Sequence, residues 1–202
     1  MKTLSAVRAI VRQVLRDEFV SGTAYDWQDD EIDLHIGECL VEISERSPYE
    51  KKETLTTTAS SKELDISSIA DLLELDPKHS IEFRTGQDPP DYRNCEVFGN
   101  ILRMDIDFLP SANENVYLYC HKVHQLTESS STLSPQLESL LVLGVCAKVA
   151  ISKARSHIGK VNVGGARTHA DIHGWGTTNL ALYRADLKRL AKPKIARRYP
   201  KD

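Results

Sequence analysis

Ser134-Pro135-Gln136-Leu137-Glu138-Ser139-Leu140-Leu141-Val142-Leu143-Gly144-Val145-Cys146-Ala147-Lys148-Val149-Ala150-Ile151 is the stretch that decides the fold. Ser134 can cap a helix, and Pro135 suits its first position, where a missing N–H costs nothing. Apolar residues then follow on nearly every side, and basic ones reappear only at Lys148, Lys153 and Arg155. A helix that is apolar all round is buried all round. The expectation is a central buried helix over 135–157, stopped at Gly159, with other helices packed about it.

Those other helices lie at both ends of the chain. Leu4, Val7, Ile10, Val11, Val14 and Leu15 recur at helical spacing with Arg8, Arg12 and Arg16 opposite them, predicting a helix from about Thr3 to Phe19. Val20-Ser21-Gly22-Thr23-Ala24 breaks it. A second helix is expected after Asp26, whose carboxylate can cap it. Asp29, Asp30 and Glu31 fall in its first turn, where negative charge suits the helix dipole. Ile32, Ile36, Cys39, Leu40 and Ile43 give it one apolar face, and Ser47-Pro48 ends it. Downstream, a glycine-spaced loop is expected from Lys160 to Gly176, then a last helix over about Thr178 to Ala191, ended by Pro193.

Between Tyr49 and Leu126 the period changes from helical to alternating. Thr54–Thr58, Ser80–Arg84, Glu96–Phe98, Ile101–Asp107 and Val116–His121 read as about five strands. Gly99-Asn100 between two of them reads as a tight hairpin. Glu128-Ser129-Ser130-Ser131-Thr132 reads as a solvated connector. The expected class is therefore α+β: a helical bundle of about four helices, a β-rich insert and an extended basic C-terminal tail. The expected divisions are an N-terminal helical pair (1–48), the insert (49–126), the helices completing the bundle (127–192) and a docking tail (193–202).

The 202 residues carry 26 basic and 29 acidic side chains, a net charge of −3 that rules out a general polyanion binder. The mean hides a polarised distribution. From Tyr183 onward eight basic residues face two acidic ones, +6; the remaining 182 residues hold 18 basic and 27 acidic side chains, −9. Such asymmetry marks an interaction arm. No window approaches the roughly 20 apolar residues of a membrane span. At the start, Met1-Lys2-Thr3-Leu4 runs into the arginine-bearing helix where a signal peptide would show an uncharged apolar block. The expectation is a protein that stays in the cytoplasm or in something assembled there.

The sequence offers little catalytic chemistry. Cys39, Cys95, Cys120 and Cys146 are isolated, with no CxxC, and read as small core hydrophobes. His169-x-x-x-His173 has a spacing zinc sites use, but it lacks a neighbouring glutamate base and a third ligand. Its glycines, Gly164, Gly165, Gly174 and Gly176, argue for a loop. Cys120 and His121 would point to opposite faces of a strand, so neither can activate the other. No GxSxG elbow, GxxxxGK[ST] loop or GxGxxG turn is present. No enzyme activity, cofactor or metal is expected.

One set of features resembles a family. It comprises the amphipathic first helix, Trp27-Gln28-Asp29-Asp30-Glu31 opening the second, and Val116-Tyr117-Leu118-Tyr119 followed by His121-Lys122-Val123-His124-Gln125-Leu126. Leu133-Ser134-Pro135 leading Leu140-Leu141-Val142-Leu143-Gly144 completes it. Together these resemble the adaptor, or head-completion and head–tail connector, proteins of tailed bacteriophages. The resemblance implies a ring, usually of twelve copies, beneath the portal protein at the head–tail junction of the virion. It would also contact the next neck or tail-completion protein, and double-stranded DNA would pass through it transiently. It implies no membrane partner and assembly in the host cytoplasm. Carried onto this chain, the portal-docking arm is Lys192 and Lys194 with Ile195, then Arg197 and Arg198, then Tyr199, Pro200 and Lys201. The channel-lining candidates are Asp29, Asp30, Glu31 and Asp33. The alternative from a different class is a nucleic-acid-binding protein that uses the basic tail.

Overall fold

The computed structural model describes residues 2–17, 27–76, 81–84, 86, 88–156 and 169–190. It is mixed α+β, with four helices and antiparallel sheets. The chain divides into two compact units, Met1–Ser47 with His124–Asp202, and Pro48–Val123. Residues 124–126, expected in the insert, thus belong with the helices.

The helical unit contains α1 (Leu4–Leu15), α2 (Asp29–Arg46), α3 (Pro135–Ser156) and α4 (His169–Leu190). Thr3 caps α1 by accepting the Ala6 N–H. That helix ends at Leu15 rather than Phe19, because Arg16 turns left-handed (φ 55°) and the cap N–H groups close onto Arg12 and Gln13. α2 begins at Asp29, and Glu31 accepts the Gln28 N–H at 3.2 Å. The expected Asp26 cap lies outside the described residues, as does Phe19. Ser134 accepts the Leu137 N–H at 3.4 Å at the start of α3.

Val7 and Val11 of α1, Ile36 and Ile43 of α2, and Leu141 and Val145 of α3 share one core with Tyr183 and Leu187 of α4. α3 packs against all three other helices, as its all-round apolar surface requires. Its seam with α4 depends on two missing side chains. A Cβ at Gly144 would lie 2.7 Å from the Tyr183 ring, and one at Gly176 would lie 2.8 Å from Ile151 Cγ1 and 3.1 Å from the Ala147 carbonyl oxygen. Tyr183 is completely buried there, and its hydroxyl donates to the Cys39 carbonyl at 3.4 Å.

This seam corrects the glycine-loop expectation. α4 starts at His169, not Thr178, and runs through Gly174 and Gly176. Glycine weakens an isolated helix, but at position 176 it lets two helix backbones approach closely, so packing overrides local propensity. Residues 157–168 lie outside the described set.

The β unit holds eight described strands: β1 (Tyr49–Thr56), β2 (Glu63–Asp65), β3 (Leu72–Leu75), β4 (Ile81–Phe83), β5 (Asp91–Arg93), β6 (Cys95–Phe98), β7 (Ile101–Met104) and β8 (Asn115–Lys122). Five were expected. The additional β2, β3 and β5 are three or four residues long, too short to display an alternation of their own. All pairings are antiparallel. β8 is the hub, pairing with β1 along one edge and with β3 and β4 along the other, while β5 extends β4. A separate three-stranded sheet runs β2-β7-β6. Phe98 faces Ile101 across Gly99-Asn100, the expected two-residue hairpin, with Gly99 at φ 59°. Val116 and Leu118 of β8 join Ile81, Phe83, Leu102 and Met104 in this unit's own core. Among the described residues, no helix is long and apolar enough to cross a membrane.

Candidate interaction surfaces

Two of the four channel-lining candidates hold helices together. The Arg8 guanidinium grips Asp33 with two donors, Nε reaching Oδ1 at 2.7 Å, and its Nη1 lies 3.0 Å from Glu128. Arg12 Nη2 donates to Asp29 at 2.6 Å and to the Trp27 carbonyl at 3.0 Å. Asp29 therefore titrates below the usual carboxylate range, chiefly through its bond to Arg12. Asp30 and Glu31 stay exposed. Hence the arginine face of α1 is a clamp on α2, with a geometry its helical periodicity could not reveal. Glu128, read as part of a solvated connector, also accepts the Ser5 N–H at 3.1 Å and so fixes the start of α1.

On the far side of α2, Lys148 of α3 reaches Glu38 and Glu42, each at 2.9 Å, and lowers the Glu38 pKa. The point where the chain leaves and re-enters the helical unit is closed by His124. Its N–H donates to Ser44 Oγ at 2.8 Å, its Nε2 donates to the Ser47 carbonyl at 2.9 Å, and its Nδ1 lies 3.0 Å from Thr132 Oγ1. Burial pushes the His124 pKa down. His124 thus acts as a neutral staple, a role invisible to sequence patterns because its partners are up to 80 residues away.

In the β unit, the outward residues of β8 carry the polar chemistry. Tyr119 donates to Glu82 at 2.6 Å, which raises the phenol pKa. Lys52 Nζ sits 3.5 Å from the centre of the Tyr117 ring, a cation–π contact, and His121 pairs with Glu74 at 3.2 Å. Each of these groups is already occupied by another. The adjoining hollow, about 160 Å³ and lined by residues including Glu50, Asp76 and His121, is below the roughly 300 Å³ of a small-molecule site. A second hollow of about 320 Å³ between Thr54, Thr58 and Asp65 contains no cysteine or histidine.

The four cysteines are free thiols. Burial pushes the Cys39 and Cys146 thiols up to about 12. Cys120 is buried and donates to the Lys51 carbonyl, while Cys95 is partly buried. His173 is exposed on α4, on the same helix as position 169. No group of three His, Cys, Asp or Glu among the described residues can hold a metal ion.

Pro48–Val123 contains 14 carboxylates against eight basic side chains, so −6 of the −9 outside the tail is concentrated there. Apolar side chains are exposed on α2 (Leu34, 63%, and Val41), on α4 (Trp175, 41%, and Leu182) and at the β6–β7 tip, where Phe98 is 89% exposed. The eight portal-docking candidates, Lys192 to Lys201, lie outside the described residues. No protein-family model matches the chain, and no similar curated protein is found.

Proposed function

We propose that this protein is a non-enzymatic structural connector of a tailed-phage particle. A helical bundle would form a ring beneath the portal, its basic tail would anchor that ring to the portal, and the genome would pass through the centre. The charge separation carries the reading: a +6 C-terminal segment joined to a −9 remainder whose acidity is concentrated in the β unit. A conduit for DNA must not hold its cargo, since each phosphate contact with Lys or Arg adds affinity. Acidic surface suits that requirement. With Asp29 and Asp33 engaged by Arg12 and Arg8, Glu31 and the carboxylates of the β unit become the better candidates for a DNA-facing surface.

The test is removal of Lys192–Asp202 from the tail. The truncated protein should keep its helical circular dichroism and yet be missing from DNA-filled heads. Normal incorporation would defeat the docking role. Tight binding of the full chain to duplex DNA, weakening steeply with salt, would instead favour a nucleic-acid-binding protein.

A further inference from the structure

Glycine inside a helix weakens it, and two of the helical glycines have internal reasons to be there. Gly144 makes room for the Tyr183 ring and Gly176 for Ile151. Gly37, in the middle of α2, has none, and neither has Gly174 near the start of α4: a Cβ built at either position meets nothing within 4 Å. Gly37 sits between Leu34 and Val41, both exposed, on a stripe that also includes Asp30 and Glu45. The spacing 30, 34, 37, 41, 45 keeps these positions on one side of the helix. The stripe is a notch with two apolar shoulders and acidic ends.

α4 presents the counterpart. Trp175, Thr178, Leu182, Ala185 and Arg189 are exposed and spaced alternately by three and four residues, again one stripe. Its two large apolar residues are seven apart, as are Leu34 and Val41. Arg184, Lys188 and Arg189 make its C-terminal half basic, whereas the outward side of α2 is acidic. No ion pair between described residues holds Asp30, Glu45, Arg184 or Lys188.

We infer that α2 of one copy receives α4 of a second copy, with Trp175 or Leu182 seated over Gly37 between Leu34 and Val41. Buried aromatic anchors in small-residue pockets are what dominate interface energy, and the Gly144–Tyr183 fit shows the same device used within one chain. Because the two stripes differ, the contact is head-to-tail and repeats until it closes. The inference rests on the proposed ring for that closure, but the contact itself is tested without any portal.

Sedimentation velocity of the full chain is the measurement. The wild type should self-associate. Leu34→Glu, Leu182→Glu and Gly37→Gln should each weaken association about tenfold or more. Gly37→Gln should not lower the melting temperature, since it removes a helix-weakening residue. Mixing Leu34→Glu with Leu182→Glu should give a 1:1 dimer, because each supplies the stripe the other lacks. A wild type that stays monomeric up to about 1 mM, association indifferent to all three variants, or dimers of either charge variant alone would overturn the inference. Incorporation of the tail-truncated protein into heads bears only on the connector reading, so the two fail separately.

Discussion

In the helical unit most carboxylates of α2 are matched with a cation from another helix: Asp33 with Arg8, Asp29 with Arg12, Glu38 and Glu42 with Lys148. In the β unit, 14 carboxylates share eight cations. Among its described residues, ion pairs include Glu53 with Lys51 and Lys122 on β1 and β8, His121 with Glu74 between β8 and β3, and Asp91 with Arg93 two residues apart. The first arrangement spends charge on positioning helices. The second leaves a negative field over a small fold with its own core. Acidity in the two units therefore does different work, and the second supplies the larger surface that could repel DNA.

Core truncation should separate the units most strongly. Leu141→Ala in α3 and Leu118→Ala in β8 both remove completely buried leucines, each expected to cost about 2–5 kcal/mol. Hydrogen exchange should show protection lost first in the unit that carries the change. Equal loss in both units from either variant would mean that they do not melt as separate bodies.

A smaller effect is expected at the α3–α4 seam. Gly144→Ala forces a methyl group against the Tyr183 ring and should cost about 1–3 kcal/mol of stability by urea denaturation, despite alanine's better helix propensity. A stabilised variant would show that the ring has room to move.

Acid should act on the helical unit in two stages. The folded-state pKa of His124 is lowered by burial, so the unfolded chain binds its proton more readily. Its contribution is intact above the ordinary histidine value of about 6.5 and is lost as pH falls through the lower folded value. Asp29 and Glu38, both held below their ordinary values by cations, follow the same sign at lower pH. Their contribution is present above about pH 4 and is lost as they protonate. His124→Gln should flatten the first stage of a melting-temperature profile and leave the second.

The smallest effect tests the charge comparison itself. Asp33→Asn should lose about 1 kcal/mol by breaking the Arg8 clamp, whereas Asp30→Asn should change stability by less than about 0.5 kcal/mol. Equal losses would mean that α2 does not sort its carboxylates in this way.

Several elements were legible because their signal is local. Helix α3 follows from a run of apolar residues too continuous to face water, and the Ser134-Pro135 start from capping chemistry. The β6–β7 hairpin follows from Gly99-Asn100, since a tight turn needs a residue that tolerates positive φ. The start of α4 was not legible, because Gly174 and Gly176 read as a break until Ile151 and the Ala147 carbonyl are seen against position 176. The pairing of Asp29 and Asp33 with arginines was hidden for a similar reason: an acidic first turn looks the same whether it faces solvent or an arginine 17 or 25 residues away.

By itself the sequence determined the α+β class, the buried third helix and the separation of a basic end from an acidic remainder, all properties of composition and short-range period. Tertiary structure alone decided which carboxylates are neutralised, which glycines make room for a neighbouring helix, and that His124 closes the crossing between Ser47 and Thr132. Those outcomes depend on distances between residues far apart in the chain, and no local pattern encodes them.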